Sequence, residues 1–199
     1  MPRVIDHDER RRQIIAVARQ LMEEGGFAAA TMRGIASAAG FANGALKHYF
    51  DGKDAIVLET FESVLTEMTE QTPPIREGVD PREELRSFLA ATMPLNKHAI
   101  AGARVLLALW EHAQTNDVLL ERYLKHMSMW KAELGKRLTA VLGEIPADDL
   151  QALIDETVTM SIGANVAALL MPEEQIIARY TRYVDDFMDR IEQLAPSPA

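Results

Sequence analysis

Apolar residues recur along this chain at intervals of three and four, so nearly all of it predicts α-helix. The first helix runs from about Asp8 to Glu24, with Ile14, Ala18, Leu21 and Met22 on one face, and Gly25-Gly26 stops it. A later helix carries Ile56, Val57, Phe61, Val64, Leu65 and Met68 to about Gln71, where Thr72, Pro73 and Pro74 end it. Pro81 suits the first turn of the next, which runs to about Met93. Another spans Asn96 to Gln114, with the dense run Val105 to Trp110. Asn116 or Asp117 caps a long helix to Leu142, patterned by Leu120, Tyr123, Met127, Trp130, Leu134, Leu138 and Val141. Asp148 opens an eighth segment to Met171, and Pro172 opens a ninth. No strand-like alternation interrupts this order, so an all-α fold of about nine helices is expected.

The stretch Thr31 to Phe50 is different in kind. It reads as two short helices joined by a tight turn, with Ile35, Ala36 and Ala39 facing Leu46 and Tyr49 or Phe50. Gly40 lies where the chain turns sharply and positive φ is needed. Small Ala36 permits close approach, and Leu46 pins the second element on the first. That spacing is a helix-turn-helix, whose second element enters a DNA major groove. An ordinary αα-hairpin is the alternative.

Charge supports the DNA reading through its distribution. The chain has 199 residues and a net charge of −9. Residues 1–53 hold eight Lys/Arg against six Asp/Glu, and the remainder holds thirteen against twenty-four. A locally basic end on an acidic body is the expected layout of a DNA-binding head. Arg10, Arg11, Arg12 and Arg19 lie on the first helix, where Arg side chains can reach a DNA backbone. Lys53 is anomalous, because a cation at the positive end of a helix dipole is unfavourable. A phosphate bound there resolves the conflict, and a solvated Lys is the alternative. The chain has no cysteine, which excludes disulfides and thiolate chemistry. Its first residues lack an apolar signal region, so a cytoplasmic protein is expected.

Enzyme motifs are missing. No Glu-x-x-His, His-Glu-x-x-His, Gly-x-Ser-x-Gly or phosphate-cradling Gly loop occurs, and no cofactor or metal is expected. His98, His112 and His126 are fourteen apart and fit a helix surface or pocket rim. An all-helical enzyme and a dimeric adaptor remain the competing classes. In the body, Trp110, Tyr123, Met127 and Trp130, with Glu111 and Glu133 nearby, offer aromatic faces and carboxylates for a cation. Met93, Leu106, Leu107, Met160 and Asn165 equally line an apolar pocket, or all of these are core. Asn165, an amide within the apolar run Ile162 to Leu170, needs a partner: ligand, water, a second subunit or neighbouring backbone. The last segment carries the heptad Ile177, Tyr180, Val184, Phe187, Ile191 and Leu194, and the eighth is rich in small residues. These two helices either close a monomeric core or pair with their copies as a four-helix bundle. A homodimer suits a reader of two half-sites, with Val158, Ser161, Tyr180, Val184, Phe187 and Ile191 as candidate interface residues.

With these features the sequence resembles the TetR family of bacterial transcriptional regulators. The residues that carry the likeness are a basic first helix and the run from Thr31 to Ile56. The C-terminal part is more weakly similar to choline-responsive repressors, around Leu106 to His112. The resemblance implies a DNA-binding domain over 1–52, a ligand-binding and dimerisation domain over 53–194, and a tail over 195–199 expected to be disordered. It implies a homodimer on a palindromic double-stranded operator, usually repressing, and released by a small-molecule inducer. By matching position, Thr31 caps the second helix and contacts phosphate. Arg33 meets phosphate or guanine, Asn43 meets adenine, and Gly44 lets the backbone approach DNA. Tyr49 and Lys53 fall at phosphate positions. Arg10, Arg11, Ala42, Lys47 and His48 complete the candidate DNA-facing set. Ala42 stands where relatives often have a capping Ser, which leaves Asn43 as an alternative cap. Lys47 stands where they commonly have Tyr.

Overall fold

The computed structural model describes residues 7–42, 44–70 and 74–195. Asn43, the Thr72-Pro73 pair and the tail from 196 lie outside the described residues. Eight α-helices are present among them: α1 His7–Gly25, α2 Met32–Ala38, α3 Lys53–Glu70, α4 Pro81–Thr92, α5 Lys97–Ala113, α6 Asp117–Leu142, α7 Ala147–Ala167 and α8 Glu173–Leu194. Two 3₁₀ turns, Phe27–Ala29 and Ala45–His48, complete the order. The fold is all-α as expected. The third of the nine expected segments, the second half of the helix-turn-helix, is one of these turns and not an α-helix.

The helix starts follow from side-chain acceptors. The Asp80 carboxylate accepts from Arg82 N (2.9 Å) with Pro81 in the first turn of α4. The Asn96 side-chain oxygen accepts from Ala99 N (2.9 Å), and that of Asn116 from Leu119 N (3.1 Å). Each satisfies an amide that the helix leaves unpaired. Asn116, rather than Asp117, is thus the cap of α6.

Two compact units are formed. One takes the described residues up to Glu67 together with Arg104–Arg122; the other takes Met68–Ala103 and the residues from Tyr123 onward. The first unit therefore holds α3 and half of α5 as well as the helix-turn-helix. It buries Ile14, Ala18 and Met22 of α1, Ile35 and Ala36 of α2, Leu46 and Phe50 after the turn, and Ile56, Val57 and Phe61 of α3. Arg104 donates to the carbonyl of Glu23 (2.6 Å), and Arg122 pairs with Glu62.

The second unit has one core, drawn from Phe88, Leu89 and Met93 of α4, Trp130, Leu134 and Leu138 of α6, and Ile176, Tyr180, Val184, Phe187, Met188 and Ile191 of α8. The α8 stripe differs from the expected heptad. Ile176 and Met188 are buried and Leu194 is exposed, because a core-facing helix keeps a 3.6-residue period and a wider apolar face than a coiled-coil seam. Arg137 is only 1% exposed. Its guanidinium donates to the Glu133 carboxylate (2.8 Å) and the Glu133 carbonyl (3.1 Å), and lies 4.6 Å from the centroid of Phe88. These contacts compensate the desolvation that a buried cation otherwise suffers.

Between α2 and the second turn the chain closes a Schellman motif. Gly40 N donates to Ser37 O (3.2 Å) and Phe41 N to Ala36 O (2.8 Å), with Gly40 at φ +72°. A methyl at Gly40 would meet no atom within 4 Å. The cost of Gly40→Ala is therefore purely that of left-handed backbone, about 1–2 kcal/mol. A lowered thermal midpoint by circular dichroism is expected, and an unchanged one would mean that the turn relaxes without cost.

Candidate nucleic-acid interface

The helix-turn-helix is held together by backbone economy. Thr31 Oγ1 accepts from Gly34 N (3.0 Å), so Thr31 caps α2 as its sequence position suggests. Gly44 then takes up φ +110° at the head of the second 3₁₀ turn and supplies no side-chain cap. Ala45 N donates to Ala42 O (3.0 Å), Lys47 N to Gly44 O (3.2 Å) and Tyr49 N to Leu46 O (2.9 Å). These are three-residue closures, so the element is a tightened turn of four residues. Leu46, buried at 1% exposure, pins it. The role of Gly44 is thus first conformational, since positive φ is required there.

Around this turn Arg10, Arg33, Ala42, Gly44, Lys47 and His48 are all exposed. The Arg10 guanidinium lies 5.6 Å from the centroid of Phe41, which meets Tyr49 edge-on at 5.6 Å. His7 lies 5.0 Å from the Tyr49 ring. Tyr49 is half-buried in this aromatic group, which sequence reasoning did not include. Asn43 lies outside the described residues.

Two residues expected at DNA have partners within the chain. Arg11 is half-buried: it donates to the carbonyl of Tyr49 and to the carboxylate of Glu59, and its guanidinium lies 4.3 Å from the centroid of Phe50. Lys53 is neither merely solvated nor dependent on an external phosphate. Its ammonium lies 3.8 Å from the centroid of Phe27, and that attraction offsets the adverse helix dipole. Phe27 also packs on the His112 ring at 3.7 Å between centroids. Nothing in the local sequence marks this contact, because Phe27, Lys53 and His112 are joined only by the tertiary fold.

The candidate ligand residues divide between the units. Leu107 and Trp110 belong to the first; Met93, Tyr123, Met127, Trp130 and Asn165 belong to the second. Leu107 is 44% exposed, so it is not an enclosed lining residue of this chain. Trp110 is half-buried, and its indole Nε1 is buried without a hydrogen-bond partner. Met93 and Trp130 are core, and Trp130 stacks on Phe88 at 5.7 Å. Met127 is partly buried against that core and Tyr123 is half-buried. The buried Asn165 amide donates to Ser161 O one turn back (2.9 Å), so neighbouring backbone is its partner. Glu133 is already engaged. The hydrogen bond from Lys136 (2.6 Å) holds its carboxyl below the ordinary value; burial opposes that, and Arg137 adds to the lowering. His126, expected at a surface or rim, is instead buried, and loss of water lowers its imidazole pKa.

The expected interface residues also need correction. Tyr180, Val184, Phe187 and Ile191 are buried inside the chain's own second core and cannot meet another chain as they stand. Val158 is half-buried, and Ser161 donates to Thr92 O (3.0 Å). The apolar side chains left uncovered on α7 are Ile162 and Val166, followed by Leu170 at 80% exposure.

Comparison with known proteins gives this geometry its context. Residues 14–60 match bacterial regulatory proteins of the tetR family, and residues 81–192 match the C-terminal region of BetI-type transcriptional repressors. An HTH-type transcriptional regulator BetI from Burkholderia ambifaria is 29% identical over 163 residues, covering 78% of this chain and 83% of the relative. A transcriptional regulator from Rhodococcus sp. Rha1 shares the fold with a TM-score of 0.83 at 20% identity, over 95% of this chain and 99% of that one. A regulator from Saccharomonospora viridis, solved in complex with choline, aligns with a TM-score of 0.82 at 19% identity, over 92% and 96%. Both matched regions fall where the head and the body lie. This chain belongs to the TetR family of transcriptional regulators, DNA-binding proteins rather than enzymes, with a C-terminal region of the BetI repressor type.

Proposed function

We infer that this regulator is a cytoplasmic repressor that binds a palindromic operator as a homodimer and releases it when a small quaternary ammonium ligand binds the body. The observation that carries the DNA half is the exposed set Arg33, Lys47 and His48 around a turn whose backbone is fixed from behind. Among the described residues no helix is long and apolar enough to cross a membrane. The ligand half is supported by the BetI-type match over 81–192 and by the choline bound to the S. viridis regulator. Within the chain, Trp110 is a half-buried aromatic ring. The free indole donor of Trp110 suits a ligand that also carries an oxygen acceptor, as choline does. Arg104, His112 and Arg122 all lie in the same compact unit as the helix-turn-helix.

Fluorescence anisotropy on a selected operator, with and without choline, tests this function. Choline is expected to weaken operator binding within the usual range for coupled sites, about 5–150-fold. Equal affinity in both conditions would remove the choline-class assignment. For the DNA contacts, Lys47→Ala should weaken binding and lower the salt slope by about one unit, the signature of one lost phosphate contact. An unchanged slope would refute that role. For assembly, the uncovered α7 residues Ile162 and Val166 support a second copy as the partner. Val166→Asp is expected to shift the chain from dimer to monomer in sedimentation equilibrium, and a persistent dimer would place the interface elsewhere.

A further inference from the structure

Arg11 and Arg19 stand eight residues apart on α1, and Glu59 and Glu67 stand eight apart on α3. They pair in register, Arg11 with Glu59 and Arg19 with Glu67, two rungs separated by about 12 Å of helix rise. The Arg19 rung joins the sides of two helices and is shared with Glu23 (2.8 Å). The Arg11 rung reaches further. One nitrogen of its guanidinium donates to Glu59 and another to the main-chain carbonyl of Tyr49, the residue that closes the recognition turn, while its guanidinium carbon lies over the Phe50 ring, 4.3 Å from the centroid. One side chain thereby ties α1, the end of the turn and α3.

We propose that Arg11, oriented by Glu59, is a positioning residue for operator recognition: it sets the pose of the recognition turn by holding the Tyr49 carbonyl, and it does not contact DNA. The proposal rests on the assignment of the Ala45–His48 turn as the base-reading element. A turn of four residues leaves its last carbonyls without partners of its own, so an outside donor decides where it ends. Arginine suits the task because its rigid fork serves two acceptors at once and lies flat on a ring, which an ammonium cannot do. Binding to arbitrary duplex depends on net charge and tolerates a displaced turn, whereas base-edge contacts do not. Loss of the staple must therefore fall on the specific complex.

The test uses the full chain, an operator selected by it from a random duplex pool, and a scrambled duplex of equal length, each titrated at several salt concentrations. Glu59→Gln removes an acid from the DNA-binding unit, which on charge alone strengthens binding to both duplexes. The positioning role predicts the reverse for the operator, a loss of about tenfold, the equivalent of one modest hydrogen bond, with scrambled duplex bound as well as before or better. Arg11→Lys keeps the charge and should show the same fall in operator-to-scrambled ratio at an unchanged salt slope. Arg19→Lys, on the other rung, should keep the wild-type ratio. Full rescue by Arg11→Lys, or a slope reduced by about 0.9 in Arg11→Ala, would mean a direct phosphate contact and overturn the proposal. Equal losses on both duplexes with a lowered thermal midpoint would reduce the staple to a stability element and overturn it too. Should Arg11→Ala fail to fold, Glu59→Gln and Arg11→Lys decide the matter between them.

Discussion

A turn of four residues cannot hold its own shape, and the DNA-binding end of this protein is organised around that constraint. The Ala45–His48 turn has too few internal hydrogen bonds to persist alone. Its conformation is imposed on every side. Gly44 supplies the left-handed entry, Leu46 is sunk into the unit's interior, Phe50 is buried directly after it, and Arg11 grips the exit. The apolar anchors contribute about 1.5–3 kcal/mol each in the usual accounting. The polar grip adds direction, which burial alone does not have. What faces solvent can then be nearly all functional, because no exposed side chain in the turn is needed for its stability.

This division of labour changes how the basic head should be counted. Eight Lys/Arg lie in residues 1–53, but several are committed inside the protein. Arg11 and Arg19 bind α3, and Lys53 rests on Phe27. Among the described residues, Arg10, Arg33 and Lys47 are the cations left facing outward around the turn. An acidic chain with a small outward-facing cationic set should bind arbitrary DNA weakly. It must then draw its affinity for the operator from alignment, where a fixed turn matters most.

How much of this was legible in the sequence depends on the range of the interaction. Local features were readable: the positive-φ turn at Gly40, the Pro81 helix start, an α6 start at Asn116 or Asp117 and the burial of Leu46 follow from residues within a few positions of one another, and the Thr31 cap from the family resemblance. The α8 stripe was readable as a face but not as a destination. Periodicity says which side chains seek cover and not what covers them, so Tyr180, Val184 and Phe187 looked as suited to a second subunit as to the core they fill. Arg11 and Lys53 were misplaced for a related reason. A basic residue in a DNA-binding head has two possible partners, phosphate or a distant side chain, and Glu59 and Phe27 become neighbours only after folding. His126 offered no local sign of burial.

The aromatic residues of the body show the same competition at the ligand end. A cation is already supplied by the chain: Arg137 lies over Phe88, Phe88 stacks on Trp130, and Glu133 neutralises the guanidinium. For a ligand to use this group, it would have to displace a guanidinium that is itself buried and already held by the Glu133 carboxylate. The Phe88–Trp130 pair is therefore structural, and Trp130 and Glu133 leave the set of residues suited to recognise an ammonium ligand. On the proposed ligand reading, recognition would fall to aromatic side chains that the protein's own cations do not occupy, of which Trp110 has the clearest unmet need, a buried donor with nothing to receive it.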